Sequence, residues 1–266
     1  EGVKMTVHRM STIDDKLRDR YDEASPPLLA ISKQLQRSIT RQLQDQRRGG
    51  KQTGLYMGRR LDIHSLPRND GRVFSKMSLP NETPELALAL LLDESGSMGC
   101  GSRATYARAS AIILYDFCQS LGIPVMVYGH SAYSGVELYS YAEFDSIDKL
   151  DRYRLMDISA RGNNRDGAAL RFVAEQLAKR PEDIRLLILV SDGQPADSGY
   201  YGTAAEEDLR GIKTEYRRKG ICFVAAAIGD DKDSIERIYG DAYMDISDLH
   251  TLPITLTNVV KRFIRT

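Results

Sequence analysis

Two unbroken apolar runs stand out in this chain, Leu86 to Leu92 (LALALLL) and Leu186 to Val190 (LLILV), each closing on polar residues that include an aspartate, Asp93 and Asp192. A half-buried strand alternates apolar and polar residues. Continuous runs of this length, cut off by a polar turn, instead describe strands covered on both faces, as in a parallel sheet. The pattern between and after them alternates helix and strand. Ser102 to Leu121 reads as a helix with Tyr106, Ala109, Ile113, Leu114 and Phe117 toward the sheet, stopped by Gly122 and Pro124. Val125 to Tyr128 is a second strand, and Val136 to Phe144 alternates as an antiparallel edge strand should. Helices are expected over Asp166–Lys179, Thr203–Lys219, Asp233–Tyr239 and Leu252–Ile264, and strands over Ile184–Ser191, Ile221–Ile228 and Ala242–Ile246. The fold class is α/β: a doubly wound, mostly parallel six-stranded sheet with helices on both faces.

Upstream the pattern changes. Glu1 to Ser25 is charged with few apolar residues, a solvated arm or a partly ordered helix. From Pro27, Leu28, Ile31, Leu35, Ile39 and Leu43 recur every three to four residues, the apolar stripe of a helix ending near Arg48. Arg47 to Gly54 reads as a basic, glycine-rich linker; it lacks the Gly-x4-Gly-Lys-Ser/Thr order of a phosphate loop. Gly58 to Phe74 sets Arg59, Arg60, Arg68 and Arg72 among Leu61, Ile63, Leu66 and Val73, either a structured lead-in with solvated charges or a docking patch for an acidic partner. The expected division is therefore an N-terminal helical and extended segment over 1–84 and an α/β domain over 85–266.

The candidate chemistry gathers at the ends of the two apolar runs. Asp93, Ser95 and Ser97 alternate and can aim a carboxylate and two hydroxyls at one point, and Asp192 ends a strand of the same polarity. A third turn, Gly162-Asn163-Asn164-Arg165-Asp166-Gly167, offers Asn164 or Asp166. Oxygen-only donors of this kind suit a hard divalent cation. A competing reading takes Ser95, Asp192 and His250 in the chain order of an α/β-hydrolase triad. It lacks the Gly-x-Ser-x-Gly elbow, and Asp93 beside the nucleophile would oppose a developing oxyanion. His130, closing the second strand at the same edge, reads either as reaching the rim of the site or as a hydrogen-bonded loop histidine.

Asp93-x-Ser95-x-Ser97, the Asn164 turn and Ser191-Asp192-Gly193 together resemble the metal-ion-dependent adhesion site of a von Willebrand factor A domain. Asn164, with Asp166 as alternative, stands where that family usually has threonine. Ser191 to Asp197, Asn164 to Gly167 and Ala227-Ile228-Gly229-Asp230-Asp231 are further similar to the C-terminal domains of cobaltochelatase accessory subunits and nitric oxide reductase activation proteins. The resemblance implies Mg²⁺ (or Mn²⁺ or Ca²⁺) at Asp93, Ser95, Ser97, Asn164, Asp166 and Asp192, and a protein partner that supplies an acidic side chain. It also implies a non-catalytic subunit acting with an AAA+ ATPase in metal insertion or metalloenzyme activation. The chain has no Walker motif of its own, so the ATPase would be a separate polypeptide or another part of this one. The absence of an initiating Met at Glu1 is what a C-terminal piece of a longer protein would show.

Composition adds limits. Lys plus Arg and Asp plus Glu both number 37, a net charge of zero that gives no reason to expect nucleic acid or an anionic membrane as partner. Three cysteines without a C-x-x-C pair suit a reducing cytoplasm, and no apolar run is long enough to insert in a membrane.

Overall fold

The structure, a computed structural model, describes residues 3–47, 50–57, 60–68, 71–78, 85–146, 149–193, 195–228, 232–240 and 243–264. The expected features at Gly229 to Asp231 lie outside these residues. The chain divides into two compact units, 1–36 with 85–266, and 37–84. This differs from the expected cut at 84/85 alone, because the first strand and the front of the first helix belong with the larger unit.

The larger unit is built on strands β1 (Met5–His8), β2 (Leu86–Asp93), β3 (Val125–Ala132), β4 (Val136–Ala142), β5 (Ile184–Ser191), β6 (Ile221–Ala227) and β7 (Tyr243–Asp245). Their order in the sheet is β1-β4-β3-β2-β5-β6-β7. Every pairing is parallel except β3 with β4. The two apolar runs thus lie side by side at the centre, as their lack of alternation requires. Leu88, Leu90 and Leu92 face one side of β2 and Ala87, Ala89 and Leu91 the other, and all are fully buried. Each such leucine contributes about 1.5–3 kcal/mol through the area it removes from water.

The helices are α1 (Asp15–Arg47), α2 (Arg103–Leu121), the short α3 (Asp151–Arg154), α4 (Asp166–Ala178), α5 (Gly202–Arg218), α6 (Lys232–Tyr239) and α7 (Leu252–Ile264). Side chains of α4, α5 and α6, among them Leu170, Val173, Leu209, Ile212 and Ile238, pack with Ala87, Ala89 and Leu91 in one core layer. Helix α2 packs against β2 and β3 with Ile113 and Phe117 buried, but Tyr106 is 38% exposed, not turned to the sheet as expected.

Two expectations about the N-terminal residues are corrected. The sheet has a seventh strand: β1 pairs with β4 from Met5↔Val136 to His8↔Tyr139, so β4 is antiparallel to β3 as expected but is not the edge. Val136 donates to Lys4 O at 2.9 Å, and His8 stacks on Tyr139 and meets Glu137. Helix α1 begins at Asp15, not at Pro27, with Asp14 Oδ1 accepting from Leu17 N at 2.9 Å at its start. Pro26 and Pro27 lie inside it. Each proline removes a helical hydrogen bond, yet the buried stripe already runs upstream through Tyr21 and Ser25 before Ile31, Ser32 and Leu35. The helix is kept by that packing.

The smaller unit holds an antiparallel sheet in which Phe74–Ser78 lies between Gly50–Leu55 and Arg60–Leu61, with a 3₁₀ turn over Ile63–Arg68. The glycine-rich stretch expected to be a linker is thus in part a strand. Gly54, with φ +71°, sits where the register shifts between Gln52 and Leu55, a backbone shape that glycine adopts without penalty.

Candidate functional site

The parallel strands β2, β3 and β5 point their C-terminal ends to one edge of the sheet, and the turns that follow carry the predicted residues. Asp93 is the last residue of β2 and is 1% exposed. Its Oδ1 accepts from Ser95 N at 2.8 Å, and its Oδ2 from Asn164 Nδ2 at 2.8 Å and from Ser191 Oγ at 3.0 Å. Ser95 Oγ and Ser97 Oγ are 3.0 Å apart, and Ser97 Oγ donates to Asp192 Oδ1 at 3.0 Å. Asp192 Oδ2 in turn accepts from Arg103 Nη1, at the start of α2, at 2.8 Å. Asp93, Ser95, Ser97, Asn164 and Asp192 therefore form one connected group. Asp166 stands apart from that network: it opens α4, and its Oδ1 lies 3.1 Å from His130 Nε2, at ion-pair distance but off the hydrogen-bonding line.

Backbone bonds hold the turn. Glu94 N donates to His130 O at 2.9 Å, prolonging the β2–β3 ladder, and Gly96 N donates to Gly162 O at 2.7 Å, tying the serine turn to the loop that carries Asn164. Glu94 turns away from the serines and is buried at 1% exposure between Tyr141 Oη and Arg161 Nε, both at 2.5 Å. Across from it is Gly129, where a Cβ would sit 2.0 Å from Glu94 Oε1. Only glycine leaves room for that carboxylate.

The electrostatics of the edge are unbalanced. Burial, and then the neighbouring carboxylates of Asp166 and Asp192, push Asp93 up to about 6, against the smaller opposing pull of His130 and Ser95. Burial, opposed by Tyr141 and Arg161, raises Glu94 to about 7. Burial by itself would lower His130, but Asp166, Asp93 and Glu94 outweigh it and its pKa ends above the usual imidazole value. The buried Asn164 Oδ1 and Asp166 Oδ1 have no hydrogen-bond partner.

The donor chemistry fits a hard divalent cation: two serine hydroxyls and two carboxylates are linked, Asn164 joins them through its amide nitrogen and leaves its buried oxygen unpartnered, and the hydrogen-bond donors to Asp93 are all neutral. Among the described residues no three His, Cys, Asp or Glu side chains are grouped to hold a metal, so the serine hydroxyls and Asn164 are indispensable to such a set. The triad reading finds no support in the geometry. His250 is exposed in the turn before α7 with its backbone N–H on Asp248, while Ser95 Oγ faces Ser97.

Several features of the site were not foreseen. His130 is a fully buried strand residue, not a loop histidine, because β3 runs on to Ala132. Arg103 and the Glu94–Arg161–Tyr141 cluster had no motif to mark them. Gly129 did carry a signal, since a glycine inside an apolar strand indicates close approach of another group. Beyond Asp192 the chain forms a small hairpin of Ala196–Asp197 with Tyr200–Tyr201, and Asp197 is buried against Asn163 and Arg165.

Residues 87–246 match the family model of the von Willebrand factor type A domain. The chain is 22% identical over 262 residues to the uncharacterized protein YojO of Bacillus subtilis, covering 92% of this chain and 40% of that one. It is 25% identical over 177 residues to protein NorD of Brucella melitensis, covering 65% of this chain and 25% of NorD. The chain thus spans well under half the length of these relatives. Among solved structures, the PilB minor pilin from Streptococcus sanguinis superposes with a TM-score of 0.51 at 14% identity, over 73% of this chain and 65% of the pilin, a likeness of fold alone. A central parallel sheet with its loops gathered at one edge, matched by the family model over more than half the sequence, makes this chain a member of the von Willebrand factor type A domain family.

Proposed function

We propose that this chain is a metal-dependent protein-interaction module. Asp93, Ser95, Ser97, Asn164 and Asp192 would hold a divalent cation, Mg²⁺ first, directly or through water, and the cation when bound would offer an open position to a carboxylate of a partner protein. Asn164 is the second-loop donor in this reading and Asp166 an outer partner, because Asn164 is joined to Asp93 while Asp166 is turned to His130. One observation carries the proposal: two serine hydroxyls, an amide and two aspartates, one ending and one just following a parallel strand, form one connected group at the sheet edge. The chain's own residues supply preorganisation. Gly162 O and His130 O fix the backbone of the turn, and Ser191 fixes Asp93.

The similarity to NorD, together with the resemblance to cobaltochelatase accessory subunits, supports a non-catalytic accessory role beside an AAA+ ATPase in metal insertion or metalloenzyme activation. A cytoplasmic setting suits that role; among the described residues no helix is long and apolar enough to cross a membrane. Calorimetric titration with MgCl₂ should give one site that disappears in Asp93→Ala. Heat unchanged by that substitution would refute the assignment.

A further inference from the structure

The zero net charge of the chain conceals a segregation. Residues 37–84 contain ten Lys and Arg against four Asp and Glu, a net charge of +6, so the remainder, with 27 against 33, carries −6. One of the four acidic residues is withdrawn from the surface: Asp62 is 4% exposed and accepts from Ser65 Oγ at 2.9 Å.

The same small unit exposes large apolar side chains that its sheet does not cover. Leu55 and Leu61 both pair with Phe74, from either side, so the three share one face of the sheet. Leu61 on that face is 52% exposed, and the adjoining Ile63, Leu66 and Met57 are 67%, 46% and 85% exposed. Apolar side chains set among arginines are the composition of an interface centre rather than of an ordinary solvated surface.

We propose that this unit docks an acidic protein surface that itself presents apolar side chains. The charge asks for an anionic partner, and the aliphatic residues select among anionic partners. Single-stranded nucleic acid is gripped by stacking on aromatic rings, whereas here Tyr56 is the one aromatic in the exposed set and its ring is already overlaid by Arg72, 5.1 Å from the centroid. A membrane surface is met by a long amphipathic helix, whereas these residues lie on a three-stranded sheet and a 3₁₀ turn. This surface shares no residue with the proposed cation site, and the proposal does not rest on that site.

The test uses the full chain with a short synthetic peptide in which Glu and Asp flank Leu and Phe, measured by fluorescence anisotropy in excess chelator so that carboxylate binding through a metal is excluded. Binding should weaken with salt, persist in Asp93→Ala, and fall by about tenfold or more in Ile63→Ser/Leu66→Ser and in Arg60→Glu. All three substituted residues are exposed, and melting curves matching wild type would confirm intact folding. A peptide of equal charge without Leu and Phe should bind far more weakly. No binding of the acidic apolar peptide, or binding indifferent to these substitutions, overturns the proposal. Equal or tighter binding of an oligo(dT) strand or of phosphatidylserine vesicles, lost in the same variants, would assign the surface to nucleic acid or membrane instead. A concentration-dependent dimer abolished by Ile63→Ser/Leu66→Ser would make the occupant a second copy of this chain.

Discussion

Asp93 and Asp192 end or follow neighbouring parallel strands at the same sheet edge, yet the chain treats them differently. Asp192 has a guanidinium, Arg103, 2.8 Å from one oxygen and a serine hydroxyl on the other. Asp93 has three donors that are all neutral, and two more carboxylates for neighbours. One aspartate is neutralised from within the chain; the other, buried and lifted to about 6, is left for something else to neutralise. The difference teaches that a site can be half-compensated by design: one carboxylate fixed in place, the other expensive to keep ionised without an added cation.

The largest expected effect breaks this contrast by removing the uncompensated member. Wild type should gain about 2.7 kcal/mol from Mg²⁺ at a hundred times its Kd. Asp93→Ala should lose that gain and partner capture together, while its fold in chelator stays as stable as wild type or slightly more so. Paired melting curves with Mg²⁺ and with chelator measure this, and an unfolded Asp93→Ala in chelator would make the residue structural. The companion change, Asp192→Ala, should behave in the opposite way without metal. It takes a charged hydrogen bond from Arg103 and should cost about 2 kcal/mol in urea unfolding under chelation.

A smaller effect is expected from Arg103→Ala, which removes the resident cation. Mg²⁺ affinity should rise about tenfold, equivalent to a 1.4 kcal/mol change, as Asp192 becomes free to face the metal. Unchanged or weaker affinity by calorimetry would mean that Arg103 positions Asp192 rather than competing for it. The smallest effect is a pH slope. Asp93 is pushed up to about 6 in the fold from an ordinary value of 3.8, so the folded state holds the proton more tightly. Its contribution is complete below pH 3.8 and is lost as pH rises through 6, at most about 1.4 kcal/mol per pH unit. In chelator, wild type should lose stability across that window relative to Asp93→Ala; parallel urea midpoints for the two would contradict the raised pKa.

How much of this was legible in the sequence depended on how local the cause was. The central strands stood out because burial on both faces leaves a continuous apolar run: Ile184 to Ser191 has its observed bounds, and the run Leu86 to Leu92 is extended in the structure by one residue, to Asp93. Helix α7 was equally plain from its spacing. Strand β1 was hidden, since four residues, Met-Thr-Val-His, are too few to establish a period and its partner lies far along the chain. The front of α1 was obscured by Pro26 and Pro27, which mark helix starts in most contexts and were here overruled by packing. At the site, spacing pointed to Asp93, Ser95 and Ser97. It said nothing of Arg103, and it placed His130 at the edge without its burial beside Asp166, because both roles arise from three-dimensional neighbours.

Strand β1 has a consequence for how the molecule comes into being. Met5 precedes its partner Val136 by 131 residues, and the pairing is parallel, so no hairpin can form it early. At about 5–20 residues per second of synthesis, the strand waits on the order of ten seconds after leaving the ribosome before its partner exists. During that interval Met5 and Val7, which remain outward even in the finished sheet, travel as an unpaired sticky segment together with the exposed Val3. The wide separation of the two strands in the chain delays this pairing, and until it forms the segment is open to capture by a chaperone or by another copy's open edge.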